Sequence, residues 1–253
     1  MDDIAHRLKG RRLAVFLDYD GTLAPIAPRP EQAHLPEATR TALRALAERC
    51  PVIIISGRDR SDVARLVGLD NLIYAGSHGF DIAGSAERPL RHRRAPCYAA
   101  DLRAAAREVR DAVAGIDGVL IEPKTAAVAV HYRLAPPRAA ARVRTAVAEV
   151  AARHPRLRVT GGKKVWELRP AVEWDKGKAL LWVLEALGLD RPDVVPIYIG
   201  DDETDEDAFA ALHGRGLSFV VAPRPLATGA DYRLRDPDEV RWFLEALCAL
   251  IDT

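Results

Sequence analysis

The sequence predicts an α/β protein in which a parallel sheet covered by helices is interrupted by a smaller α+β domain. Short apolar runs alternate with helical patterns before residue 87 and after residue 172, an order typical of parallel strands with covering helices. Between those points a helix–strand–strand order occurs twice, which indicates an antiparallel sheet. We therefore expect residues 1–86 and 173–253 to form one domain and residues 87–172 to form an inserted one.

Each element of the parallel portion has its own local signal. Apolar runs predict five strands: 13–17, 51–56, 72–76, 195–200 and 217–222. Apolar residues at helical spacing, such as Leu43 and Leu46, indicate the covering helices. These are predicted at 36–50, 61–68, 176–188, 205–214 and 237–251. Ser61 is expected to cap the second helix, and Pro237 suits the first turn of the last one.

The inserted portion contains two helical patterns and two strand pairs. The helices are predicted at 98–115 and 136–153, and the strands at 118–123, 126–133, 157–162 and 163–170. Gly161 and Gly162 favour a tight turn in the second pair. The basic stretch 88–96 at the entrance is interpreted as a linker. Its charges are either solvated or placed to steer a phosphorylated substrate.

The composition is that of an ordinary globular protein. The 253 residues are 49% hydrophobic and 29% charged, with a formal net charge of +1. Such a balance gives no sign of nucleic-acid or anionic-membrane binding, and neither a signal peptide nor a membrane span is evident. Three widely spaced cysteines, Cys50, Cys97 and Cys248, argue against a disulfide framework. We expect a cytoplasmic protein.

Acidic and polar residues follow several of the predicted parallel strands. Asp18 and Asp20 follow the first strand, Ser56 and Arg58 the second, and Asp201 the strand at 195–200. Ligands of open α/β sheets bind beyond the carboxyl ends of the strands. Carboxylates packed there raise one another's pKa unless a cation lies among them. Clustered hard oxygens suit Mg²⁺, so the sequence predicts a magnesium site at this edge.

A structural alternative makes Asp18 and Asp20 turn and cap residues, since Asp favours both positions. The acidic density of "GDDETDEDAF" at 200–209 disfavours that alternative, because solvent exposure gives no reason for it at a strand end. Dinucleotide and P-loop nucleotide binding are disfavoured as well. The first strand is not followed by G-x-G-x-x-G, and no G-x-x-x-x-G-K-[ST] occurs.

Four motifs resemble, in order, those of the haloacid-dehalogenase (HAD) phosphatases: "DYDGT", "ISGR", "DKGKAL" and "GDDETDEDAF". The segments "AGSHG", "EPKTAAVAVHYR" and "GGKKVWELRP" are similar to parts of the trehalose-6-phosphate phosphatase family. The resemblance implies a Rossmann-like HAD core with an inserted C2-type cap. One departure is "SHGFD", where many relatives carry Ala-Glu after His-Gly, so Phe80 and Asp81 are not carried over as site residues.

The resemblance implies hydrolysis of a phosphate monoester through a covalent aspartyl-phosphate. Asp18 matches the nucleophile and Asp20 the general acid, which then activates water. Mg²⁺ would bind the Asp18 side chain, the Asp20 backbone carbonyl and Asp201. Asp202 and Asp205 are either a further ligand or groups that orient the waters of the metal. Our expected metal set is therefore Asp18, Asp20, Asp201 and Asp202.

The same resemblance assigns phosphate and sugar contacts. Phosphate would be bound by Gly21, Thr22, Ser56, Gly57 and Lys176, and the sugar by Arg58, His78, Gly79, Glu122, Lys124, His131, Lys163 and Glu167. Strand alternation places Lys163 and Glu167 opposite Trp166 and Leu168. Several assignments have a structural alternative: a helix cap for Ser56, a solvated surface for Lys176 and the cap residues, ion pairing for Arg58, and a structural role for His78.

These observations predict a Mg²⁺-dependent trehalose-6-phosphate phosphatase of trehalose biosynthesis. Two alternatives remain open. The same chemistry could serve sucrose phosphate or a glycosyl-phosphoglycerate, or the chain could be a non-catalytic regulatory module of phosphatase ancestry. We expect a monomer, with a trehalose-phosphate synthase as its candidate protein partner.

Overall fold

A computed structural model describes residues 2–27, 32–162 and 164–252. The chain divides into two compact units: residues 1–92 with 174–253, called the core unit here, and residues 93–173, called the inserted unit. The sequence predictions placed the two borders at 86/87 and 172/173.

The strands and helices are numbered in chain order. The strands are β1 (Arg12–Leu17), β2 (Val52–Ile55), β3 (Ile73–Gly76), β4 (Asp81–Ala83), β5 (Arg91–Arg93), β6 (Leu120–Pro123), β7 (Val128–His131), β8 (Leu157–Gly162), β9 (Val165–Pro170), β10 (Val194–Gly200), β11 (Leu217–Val221) and β12 (Tyr232–Leu234). The α-helices are α1 (Asp2–Leu8), α2 (Glu37–Ala47), α3 (Arg60–Val67), α4 (Ala99–Val113), α5 (Ala140–Arg153), α6 (Lys176–Ala186), α7 (Glu206–Leu212) and α8 (Pro237–Ile251).

The larger sheet has the strand order β12-β11-β10-β1-β2-β3-β4-β5. Pairing is parallel from β12 to β3, and β4 turns back antiparallel to β3. Strands β2, β3 and β10 are buried along their whole length, which is expected where helices cover both faces of a parallel sheet. Leu43 of α2 and Leu247 of α8 lie in one apolar cluster with Val15 of β1.

The register of the central strands sets where the polar motifs emerge. Leu17, the last residue of β1, is opposite Ile199 of β10 and Ile54 of β2. Parallel strands in this register end at the same edge of the sheet. The residues that follow them therefore meet at that edge.

The inserted unit has an antiparallel sheet in the order β6-β7-β9-β8. One face packs on α4 and α5, where Val128 and Leu168 join Val109 and Val147 in an apolar cluster. Trp166 is partly buried against the same cluster, as strand alternation predicted. The register aligns Glu122, Ala129, Glu167 and Thr160 in one row across the sheet. Neighbouring residues of a strand point to opposite faces, so this row lies on the face away from the helices, called the polar face below.

The predominantly parallel α/β core unit and the inserted α+β unit agree with the predicted fold class. The predicted Ser61 cap is wrong, because α3 begins one residue earlier with Asp59 in the extended N-cap conformation. Four short elements, α1, β4, β5 and β12, were not predicted, and β5 lies within the basic stretch interpreted as a linker. In the described part of the chain, the helices are too short or too polar to cross a membrane.

Candidate active site

Lys176 lies at the centre of a buried acidic cluster in the core unit. It is the first residue of α6, and its side chain is 2% exposed. Its Nζ donates to Asp18 Oδ1 at 3.0 Å and to Asp205 Oδ1 at 2.6 Å. Lys176 is therefore no solvated surface lysine. The neighbouring Lys178 instead pairs with Asp175 and is about half exposed.

Asp205 ties this cluster to the strand end. Its Oδ2 accepts from the backbone N–H groups of Asp201 and Asp202, both at 3.0 Å. Its Oδ1 also accepts from the Tyr198 hydroxyl at 2.5 Å. The carboxylate sits so close to the backbone that a Cβ on Gly200 would lie 2.2 Å from Asp205 Cγ. Only glycine fits at position 200 without displacing Asp205.

Burial and charge act in opposite directions on the pKa values of this cluster. Burial raises the pKa of Asp18 well above its ordinary value, and Lys176 offsets only part of that effect. Burial also raises the pKa of Asp205, again against the lowering effect of Lys176. For Lys176, burial favours the neutral form, but the carboxylates of Asp18 and Asp205 outweigh it and raise the pKa. The lysine therefore stays charged among carboxylates that need a positive neighbour.

Three carboxylates in the cluster have the spacing of metal ligands. One oxygen each of Asp18, Asp201 and Asp205 lies within 4.8 Å of the others. Asp201 packs against the backbone at Gly21, where a Cβ would lie 2.1 Å from Asp201 Oδ2. The Asp202 side chain lies outside this set and accepts from the backbone and hydroxyl of Thr204 at 2.9 and 2.7 Å.

Asp20 is held by Arg58 rather than by Lys176. Arg58 Nε and a terminal nitrogen donate to the two Asp20 oxygens, each at 2.7 Å. A further Arg58 nitrogen donates to Asp62 of α3 at 3.1 Å, and the guanidinium lies over the Tyr19 ring. Burial opposes the charge of Arg58, but the two carboxylates outweigh it and raise its pKa. The structure thus contains the ion pairing that was one of the two alternatives for Arg58.

The loop after β2 presents a buried hydroxyl. Ser56 is 2% exposed, and its Oγ accepts from the Arg58 backbone N–H at 3.2 Å. It does not cap α3, which begins at Arg60 after Asp59. On the β1 side, the Thr22 hydroxyl is fully buried, and no atom of the described residues hydrogen-bonds to it.

A strained turn braces this loop. Ser77 and His78 donate their backbone N–H groups to Arg58 O at 2.7 Å and Ser56 O at 2.8 Å. Ser77, His78 and Gly79 all have positive φ, at 51°, 56° and 89°, a costly conformation for the two non-glycine residues. The His78 ring packs on Gly57, where a Cβ would meet Nε2 at 2.9 Å. This packing fits the structural alternative for His78, and its contact with substrate stays a prediction.

The polar face of the inserted unit carries a second cluster. Lys124 and Arg169 donate to the two oxygens of Glu167 at 2.9 and 2.7 Å, and Glu122 contacts His131 Nε2 at 2.8 Å. Glu167 is only 8% exposed. Burial alone would raise its pKa, but Lys124 and Arg169 outweigh burial and lower it. Lys163, predicted for the same face, lies outside the described residues.

Comparisons with known proteins show which family the chain belongs to. The model of the trehalose-phosphatase family matches residues 16–238. The chain belongs to the trehalose-phosphatase family. It is 42% identical to the trehalose 6-phosphate phosphatase RA3 of Zea mays, over 94% of this chain and 70% of that protein. The resemblance drawn from the motifs is confirmed.

Solved structures extend this result. A trehalose-6-phosphate phosphatase related protein aligns with a TM-score of 0.80 and 27% identity, covering 94% of this chain and 97% of the other. A haloacid dehalogenase-like hydrolase from Bacteroides thetaiotaomicron aligns with a TM-score of 0.67 and 17% identity, covering 94% and 99%, which shows the shared fold. As a member of the trehalose-phosphatase family, the chain is a phosphoric monoester hydrolase, and that prediction is confirmed.

Sequence reasoning missed several residues of the two clusters. Tyr198, Asp62 and Arg169 each hydrogen-bond a predicted site residue. Tyr198 left only a weak signal, a polar side chain in the otherwise apolar strand before Gly200, which the sequence alone does not distinguish from core packing. Asp62 and Arg169 are charged residues among many others on a helix and a strand, and the pattern alone does not single them out.

Proposed function

We propose that this trehalose-phosphatase family member hydrolyses trehalose 6-phosphate to trehalose and phosphate. The observation that carries the proposal is the buried contact of Lys176 with Asp18, at the strand end that also presents Ser56 and Asp201. An ammonium there holds the nucleophilic carboxylate in place and has a third N–H available for a phosphate oxygen.

The donor set fits Mg²⁺. Clustered carboxylate oxygens are the ligands that a hard divalent cation prefers. Three carboxylates close together, two of them in contact with one ammonium, leave negative charge for such a cation to balance. Asp18, Asp201 and the backbone carbonyl of Asp20 would hold it. Bound there, Mg²⁺ would neutralise charge on the transferring phosphoryl group.

The side chains of the cluster would then divide the reaction between them. An oxygen of Asp18 attacks phosphorus, and the bond from phosphorus to the sugar oxygen breaks. Asp20 gives its proton to that oxygen, so trehalose leaves and Asp18 carries the phosphoryl group. Asp20 next takes a proton from water, whose oxygen attacks phosphorus and releases phosphate from Asp18. Ser56, Thr22 and the backbone at Gly21 and Gly57 would bind the phosphate oxygens.

Acid catalysis by Asp20 requires a change at its ion pair. Both Asp20 oxygens accept from Arg58 in this structure, so one of them must leave the guanidinium to protonate the sugar. Asp62 already contacts Arg58 from the other side and would keep its charge balanced. Catalytic hydrogen bonds often form only when substrate is bound.

Sugar recognition is proposed for the polar face of the inserted unit. Glu122, His131, Lys124 and Glu167 are close enough to one another to act as one surface. Carboxylates and ammonium groups there can accept from and donate to sugar hydroxyls. Since the substrate is a phosphorylated sugar, a trehalose-phosphate synthase is the expected supplier.

The test is phosphate release from a panel of sugar phosphates, with Mg²⁺ present. Trehalose 6-phosphate should give the highest kcat/KM, above sucrose 6-phosphate and a glycosyl-phosphoglycerate. Asp18→Asn should lower turnover of every compound by about 10⁴-fold or more, the scale seen when a nucleophile is removed. Asp70→Asn, at an exposed position of the core unit, is the control. A preference for another sugar would change the proposed substrate, and no release from any would support a non-catalytic module.

A further inference from the structure

Tyr198 is a fully buried residue of β10 that lies next to the acidic cluster without belonging to any of the four motifs. Its hydroxyl donates to Asp205 Oδ1 at 2.5 Å. The same oxygen accepts from Lys176 Nζ at 2.6 Å, and Lys176 donates onward to Asp18 Oδ1 at 3.0 Å. Three consecutive hydrogen bonds therefore connect Tyr198 to the proposed nucleophile.

The hydrogen-bond capacity of Asp205 explains why this connection matters. An ionised carboxylate offers about four acceptor positions. In Asp205 they are taken by Tyr198 and Lys176 on Oδ1 and by the backbone N–H groups of Asp201 and Asp202 on Oδ2. A carboxylate whose four acceptor positions are all occupied by donors is held in one orientation. Removal of one donor leaves a buried lone pair of Asp205 without a partner. Neighbouring donors can then move to hydrogen-bond with it.

The tyrosine itself is fixed as a donor. A carboxylate oxygen only accepts, so the short hydrogen bond to Asp205 Oδ1 makes the Tyr198 hydroxyl the donor. Its ring is held edge-on against Phe209 of α7, with the ring centroids 5.8 Å apart.

We propose that Tyr198 is a positioning residue, which fixes Asp205 and thereby the place of the Lys176 ammonium beside Asp18. The proposal deepens the proposed function and rests on it. Loss of the hydroxyl would let the Lys176–Asp205 pair shift away from Asp18 Oδ1. Turnover would fall, because the ammonium must lie within reach of both the nucleophile and the phosphate. Affinity for trehalose 6-phosphate would change less than turnover, since the sugar contacts are proposed for other residues.

The matched experiment compares Tyr198→Phe with Tyr74→Phe. Tyr74 is also buried in the core unit, and its hydroxyl donates to the Leu69 carbonyl at 2.6 Å, away from the cluster. Both variants keep the ring and lose one buried hydrogen bond, so similar decreases in Tm are expected. Tyr198→Phe should lower kcat about 10-fold, a factor worth ~1.4 kcal/mol, on both trehalose 6-phosphate and p-nitrophenyl phosphate. For trehalose 6-phosphate, KM should stay within about two-fold, because the proposed sugar contacts are kept.

A further variant separates the hydroxyl from the packing. Phe209→Leu loosens the ring of Tyr198 and keeps its hydroxyl, so it should lower Tm and reduce kcat much less than Tyr198→Phe does. Equal kcat values for Tyr198→Phe and Tyr74→Phe would overturn the proposal. A kcat loss in Phe209→Leu as large as that in Tyr198→Phe would overturn it as well, since the hydroxyl would not be the cause.

The assay also distinguishes this proposal from the function on which it rests. Asp18→Asn and Lys176→Met are measured beside the tyrosine variants. If both keep ordinary activity, the proposed catalytic roles are wrong, whatever Tyr198→Phe does. If both are inactive and Tyr198→Phe turns over like Tyr74→Phe, only the positioning role of Tyr198 is wrong.

Discussion

The acidic cluster of the core unit and the polar face of the inserted unit both combine acids with bases, in different proportions. In the core unit, the carboxylates of Asp18, Asp201 and Asp205 lie close together, and the ammonium of Lys176 contacts two of them, Asp18 and Asp205. In the inserted unit, Glu167 has two basic partners, Lys124 and Arg169. The first cluster thus has an excess of negative charge among its described members, and the second does not.

This difference in balance predicts a difference in what each cluster needs. Buried like charges are costly unless a cation accompanies them, so we expect the core cluster to bind a divalent ion. The polar face already satisfies its own charges. It can bind neutral hydroxyl groups by exchanging one hydrogen bond for another, with no ion required. Loss of the ion should therefore affect every substrate, and loss of a polar-face residue only those with a sugar to bind.

Removal of Mg²⁺ is the prediction with the largest expected effect on this comparison. Excess chelator should reduce hydrolysis of both trehalose 6-phosphate and p-nitrophenyl phosphate to background, and added Mg²⁺ should restore both. Ca²⁺ should substitute poorly, because its longer bonds and looser geometry misplace the reacting groups. Initial rates over a Mg²⁺ titration measure the effect.

Two carboxylate variants sharpen this prediction. Asp201→Asn should raise the Mg²⁺ concentration needed for half-maximal activity and weaken Mg²⁺ binding measured by calorimetry. Asp202→Asn should change both much less, because the Asp202 side chain is directed to Thr204. Full activity in excess chelator would show that the core cluster needs no ion.

The sequence predicted the core cluster better than the polar face, and the register of the strands explains why. Asp18, Ser56 and Asp201 each follow a buried strand directly. Because these parallel strands end at the same edge of the sheet, the residues that follow them lie close together there. Lys176 was placed only by its motif, because a lysine at a helix start is ordinarily exposed. Its burial depends on Asp18 and Asp205, which come from distant parts of the chain.

The contacts on the polar face join residues of different strands. The alternation of residues along one strand does not predict such contacts. Alternation correctly separated Glu167 from Trp166 and Leu168. Alternation could not show that Glu167 is nearly buried. The side chains that contact Glu167 are Lys124, from another part of the chain, and Arg169, two positions further along the strand. Tyr198 was missed for a related reason: a single tyrosine in an apolar strand looks like packing until the position of Asp205 is known.

The second prediction tests whether the polar face acts on the sugar alone. Glu167→Gln should lower kcat/KM for trehalose 6-phosphate by ~10- to 150-fold, the equivalent of roughly 1.5–3 kcal/mol for a charged hydrogen bond. Hydrolysis of p-nitrophenyl phosphate should hardly change, because that compound has no sugar to position. Lys163→Ala should behave in the same way. Steady-state kinetics on the two substrates give both values.

A matched control is available in the same unit. Glu108 of α4 is also paired with two bases, Arg153 and His154, on the helical side of the sheet. Glu108→Gln should leave both substrates unaffected. Equal losses on both substrates in Glu167→Gln would mean that the residue supports folding or chemistry, and no loss on either would remove it from sugar recognition.

The smallest expected effect concerns stability against acid, and it tests the claim that the polar face balances its own charge. The pKa of Glu167 is lowered in the folded chain relative to its ordinary value of 4.5. A group with a lowered folded pKa contributes stability above its unfolded pKa and loses that contribution as pH falls through the folded value.

Hydrogen exchange of peptides covering β7 and β9 should therefore show wild-type protection declining as pH falls below about 4.5. Glu167→Gln, which cannot titrate there, should be less protected at neutral pH and should decline less steeply. The two curves should converge toward low pH, where the wild-type carboxyl is also neutral. Parallel curves would mean that Lys124 and Arg169 give Glu167 no net stabilisation, and the contrast with the core cluster would then rest on the metal alone.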